Sequence, residues 1–133
     1  MVSGLKAGVA YFVIVFAAGF VLGTLRILVV APAIGTTAAV LVELPVMLAI
    51  SWIACRRMIR RFSVSDDWAV RLAMGAVAFA LLMVAEWVLG VAAFGRTVAE
   101  QIAAYGTPDG MIGFVGQAIF AVFPLIQLSQ KAK

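Results

Sequence analysis

Residues 7–30 read AGVAYFVIVFAAGFVLGTLRILVV, an apolar run interrupted by one charge, Arg26, near its end. About 20 apolar residues in a helix cross the hydrocarbon core of a bilayer. The run is too long for the core of a signal peptide, and a second apolar run follows it, so it reads as a retained transmembrane helix. Three further runs have the same character, at about 37–55, 68–94 and 111–128. The chain therefore reads as all-α: an integral membrane four-helix bundle in a single domain of 133 residues.

Composition requires the same solvent. The chain is 65% hydrophobic and 12% charged, with a mean hydropathy of +1.16. Soluble domains are nearer half apolar and a quarter charged, so the surplus apolar surface here calls for lipid. The sequence has no His and one Cys, Cys55. Missing His removes the commonest metal ligand and proton shuttle. A single Cys excludes an internal disulfide and any CxxC site. No cofactor is expected, and nothing in the pattern points to nucleic acid.

The connections set the orientation. Ala31-Pro32-Ala33-Ile34-Gly35-Thr36 reads as a turn, with Thr36 or Thr37 capping the second helix. Arg56-Arg57-Met58-Ile59-Arg60-Arg61 follows the second span, and Ser63-Val64-Ser65-Asp66 reads as a capping box before the third. Gly95 to Gly110 is a polar link, with a short interfacial helix expected over Val98 to Tyr105. Lys6, Arg56, Arg57, Arg60, Arg61, Arg71, Lys131 and Lys133 fall on one side, and only Arg96 on the other. The positive-inside rule puts both termini in the cytoplasm, with the 31–36 turn and the 95–110 link outside. The expected location is a bacterial-type inner membrane. Arg56, Arg57, Arg60 and Arg61 are expected to act as a topology determinant, with contact to anionic headgroups as the alternative reading.

Four polar groups interrupt the spans, one in each: Arg26, Glu43, Glu86 and Gln117. At ~1.5 Å per residue they lie roughly 7, 10, 12 and 9 Å below the outer ends of their helices. Four independent spans would not agree in depth unless the groups meet. Ionisable groups in a bilayer face the protein interior, find partners or line pathways. Gly19 and Gly23 share the Arg26 stripe and predict close approach of another helix. Gly110, Gly113 and Gly116 predict a second close-packing face.

Charge counting sharpens the expectation. Arg26 suits one carboxylate in bidentate fashion. The other acid is then left protonated near neutral pH, or held by a cation or basic ligand. Gln117 can donate to or accept from either acid. Pro45 frees the carbonyl of Leu41, one turn from Glu43. Trp87, next to Glu86, is a candidate wall for a cationic ligand. The expected function is an outward-facing site that binds a proton, cation or amphipathic ligand, related to transport and working as a homo-oligomer. The alternative is an accessory subunit in which the polar layer locks packing and apolar faces dock on a membrane-protein partner. A lipid-modifying enzyme with a Glu acid/base ranks third, because no nucleophile or metal motif supports it.

The plan of four helices in about 130 residues resembles several families of small bacterial membrane proteins. The small multidrug transporters, for comparison, carry one membrane-embedded Glu in the first helix. This chain has Arg26 there and its acids in the second and third spans, and its strong charge bias departs from their pattern.

Overall fold

A computed structural model describes residues 2–93 and 95–131, with side chains for 2–93 and 95–127. Phe94, the expected end of the third span, and Lys133 lie outside the described residues. Helix α1 spans Val2–Leu25 and continues through a π-helical segment, Arg26–Val30, into α2, Ala31–Ile34. Helix α3 is Thr36–Arg61, α4 Trp68–Ala92, α5 Val98–Ala104 and α6 Pro108–Lys131. No strand occurs among the described residues. Val2–Ile34, α3, α4 and Pro108–Gln127 of α6 are each long and apolar enough to cross a membrane.

The first helix differs from the expected span in its ending. Pro32 does not stop it; the helix widens before the proline and runs on to Ile34. The amide of Ala31 donates to the carbonyl of Arg26, five residues back. A proline ring clashes with the carbonyl four residues earlier in an α-helix, and the wider π turn relieves that crowding. The break comes at Gly35, whose φ of 92° is a conformation that glycine adopts readily. Gly35 is also the N-cap of α3, with no side-chain cap, so the cap expected from Thr36 or Thr37 is absent. Thr37 instead donates to Asp109 Oδ1 at 2.7 Å and ties α3 to the start of α6.

The expected Ser63–Asp66 capping box is divided between two helix ends. Ser63, at φ 50°, follows α3 in the left-handed region. Val64 donates back to the Ile59 carbonyl at 3.0 Å and Ser63 to that of Arg60 at 3.3 Å. These are the two bonds of a Schellman motif, and Val64 and Ile59 are both buried, as its hydrophobic contact requires. Asp67, not Ser63, caps α4, accepting from the Ala69 amide at 3.1 Å. Asp66 is left free to pair with Arg71 at 2.8 Å.

Each long helix packs against two others: α1 and α6 both pack on α3 and α4. Gly4 and Gly8 of α1 approach Val70 and Met74 of α4, so these neighbours run parallel. The ends are termed basic, where Arg56–Arg61 lie, and opposite, where Gly35 and α5 lie. The core is concentrated toward the basic end. Tyr11, Cys55, Met74 and Ala78 are fully buried there, with Phe120 and Phe123 against them. Tyr11 stacks on Phe120, and Trp52 meets Phe123 edge-on. Gln127 reaches from α6 to donate to the Trp52 carbonyl at 2.9 Å.

Arg71, counted above among the basic residues of one side, is fully buried. Its Nε donates to the Ser65 carbonyl, one Nη to the Pro124 carbonyl and the other to Asp66. Spreading three nitrogens over three acceptors is what a guanidinium does and an ammonium cannot. The group thus joins the α3–α4 connection to α6.

At the opposite end, Thr97 and Glu100 form a reciprocal capping box that starts α5. The T-x-x-E pattern for it is present in the sequence. Gln101 is buried over Gly90 and donates to the Trp87 carbonyl at 3.1 Å, seating α5 on α4. Thr107 Oγ1 accepts from the Gly110 amide at 3.1 Å and starts α6, with Pro108 following.

Candidate functional site

Away from the basic end the four long helices separate around one cavity of about 320 Å³. That is within the range of small-ligand sites. Arg26, Glu43, Glu86 and Gln117 all line it, one from each span. Most of the remaining wall is apolar, with Phe16, Phe20, Leu44, Met47 and Leu89 among its residues. Val15, Ser51, Leu82 and Phe120, all buried, also line it and adjoin the Tyr11 core.

Glycines leave the space open. Gly19, Gly23, Gly113 and Gly116 line the cavity. A Cβ at Gly113 would meet nothing within 4 Å, and one at Gly19 would come no nearer than 3.6 Å to Met47. The close helix approach expected at Gly19 and Gly23 occurs instead at Gly8 and Gly75. A Cβ on Gly8 would lie 2.7 Å from the Met74 carbonyl, and one on Gly75 would overlap that of Ala121. Of the second expected packing face, Gly116 meets Leu44, Gly110 abuts the Ala104 carbonyl and Gly113 is open.

The polar groups form two pairs. Arg26 Nη1 donates to Glu43 Oε2 across α1 and α3, through one nitrogen and not the expected fork. Arg26 is the first residue of the π turn, so the widening for Pro32 coincides with the cation that bridges to α3. Gln117 Nε2 donates to Glu86 Oε1 across α6 and α4. Among the described residues no cationic side chain lies within ion-pair distance of Glu86. Gln117 Oε1 is buried and has no hydrogen-bond partner among them. The cavity wall therefore carries one neutralised acid and one acid met only by an amide.

Trp87 does not line the cavity. Successive residues on a helix point about 100° apart, and Trp87 turns to α5, where Nε1 donates to the Tyr105 hydroxyl at 3.1 Å. That hydroxyl in turn faces Met83 Sδ at 3.9 Å, and the Tyr105 ring meets Phe114 edge-on. Ser51 and Thr24 are lining residues that the sequence reading passed over. Ser51 lies eight residues after Glu43, near the same face, and that spacing was the available signal. Thr24 is satisfied locally, donating to the Phe20 carbonyl at 2.8 Å. No side chain among the described residues donates to the Leu41 carbonyl freed by Pro45. Arg56, Arg57, Arg60 and Arg61 are exposed at the basic end, and Arg61 lies over the Phe62 ring.

The chain matches no protein-family model, no curated protein and no solved structure.

Proposed function

We propose that this chain is a four-helix inner-membrane protein whose cavity faces outward and binds a proton, a cation or a cationic amphipathic ligand. The observation that carries the reading is the inequality of the two acids. Glu43 has Arg26 as its counter-ion; Glu86 lines the same cavity with no cationic side chain within ion-pair distance among the described residues. In this reading both termini are cytoplasmic, as the charge bias requires. Arg56, Arg57, Arg60 and Arg61 then face anionic headgroups on the cytoplasmic leaflet.

The packed core around Tyr11, Cys55 and Met74 favours a one-sided pocket over a continuous channel. A transport cycle would need this core to open, or a second copy of the chain to complete a path. A second reading draws on the Arg26–Glu43 pair. Closed on itself, it also suits a lock between α1 and α3 in an accessory subunit.

The test is equilibrium binding to the purified protein in lipid nanodiscs. The probes are adamantan-1-ylammonium and the anion adamantane-1-carboxylate, which share one compact apolar body and carry opposite charges. The cation is expected to bind and the anion not to, with Glu86→Gln abolishing the difference. Equal binding of both, or of neither, would favour the accessory reading.

A further inference from the structure

The acceptors around Glu86 outnumber the donors, and the ligand's chemistry follows from that imbalance. Arg26 and Glu43 cancel in charge, so an ionised Glu86 leaves the cavity at −1 and one positive charge completes it. Glu86 receives one hydrogen bond, from Gln117, and Gln117 Oε1 receives none among the described residues. Buried acceptors call for donors. We infer that the cavity selects a protonated primary or secondary amine on a compact apolar body, over quaternary cations, metal ions and anions. This rests on the reading of the cavity as a cation site.

Each alternative fails on a separate count. A quaternary ammonium has the charge but no N–H for the free acceptors. A hard metal ion takes six or more oxygen ligands. No group of three His, Cys, Asp or Glu suited to a metal exists among the described residues. An anion meets Glu86, while Arg26 is already engaged by Glu43. The space has room for on the order of ten waters, enough for a ligand body of similar size against Phe16, Leu44 and Phe120.

The experiment is calorimetric titration of the full chain in nanodiscs with adamantan-1-ylammonium and its N,N,N-trimethyl derivative. The two probes share body and charge and differ in N–H donors. The primary ammonium is expected to bind at least tenfold more tightly. Gln117→Leu should narrow that ratio and Glu86→Gln should abolish binding of both. Gly113→Val should also weaken both by filling space, and Gly113→Ala, whose Cβ meets nothing within 4 Å, is the matched control for a side chain at that position. Equal affinity of the two cations would overturn the donor requirement and leave the cation site standing. Binding of neither would overturn the cation site and this inference with it.

Discussion

The Tyr11 hydroxyl donates to the Phe120 carbonyl at 2.7 Å, and Pro124 is the reason that carbonyl is free. In an α-helix the Phe120 oxygen would accept from the amide of residue 124. Proline has no amide hydrogen. A side chain from α1 therefore replaces a missing backbone donor in α6, inside the fully buried core. The same proline's own carbonyl accepts from Arg71 at 3.0 Å, so α6 is held by α1 and α4 within one turn.

Tyr11→Phe should keep the ring stack on Phe120 and lose the hydrogen bond. The buried carbonyl is then unsatisfied, at a cost of about 1–3 kcal/mol. Pro124→Ala restores a helical amide, so the double variant should lose less than the sum of the two single losses. Denaturant unfolding in mixed micelles measures this as a double-mutant cycle. Strict additivity would mean that Tyr11 does not serve the Phe120 carbonyl.

Glycines at the two ends should respond oppositely to alanine. Gly75→Ala forces a methyl group against the Ala121 backbone and should destabilise by about 1–3 kcal/mol, as overpacking does. Gly113→Ala enters open space and should be neutral or slightly stabilising, given alanine's better helix propensity. Melting temperatures of the two variants, compared side by side, decide it.

The acids should separate in the same way. Glu43→Gln strands the Arg26 cation and should cost about 1–3 kcal/mol. Glu86→Gln leaves an amide facing the Gln117 amide, which can still hydrogen-bond. Its effect on stability should stay within about 0.5 kcal/mol. If both substitutions destabilise strongly, the polar layer is a packing lock and the binding reading loses its support.

Acid should loosen α5 before the spans. The Thr97 backbone amide, then the Thr97 hydroxyl contact, holds Glu100 below its ordinary value of 4.5, and Arg96 adds to the effect. A depressed carboxylate contributes stability that is complete above 4.5 and lost as pH falls through the lower folded value. Hydrogen exchange at the Glu100 and Gln101 amides, followed downward from pH 5, should show α5 opening while α4 stays protected. Glu100→Gln, which removes the titrating carboxylate, should remove the pH dependence.

The sequence by itself determined the number of spans, the charge bias of their ends and a polar group in each. All of these are local: hydropathy sums along the chain, and depth follows from rise per residue. It also anticipated that Arg26 would find an acid. Tertiary structure alone decided that the acid is Glu43, because α3 packs on α1 while α6 presents Gln117 to Glu86. It decided that Gly8 and Gly75 bring helices together whereas Gly19, Gly23 and Gly113 leave a cavity. A glycine's sequence neighbours are alike in both cases, and only the distance to the facing helix separates a contact from a void. Arg71 makes the same point. It read as one charge among many at a helix start, and its burial depended on two distant segments, the 63–67 turn and Pro124, converging on it.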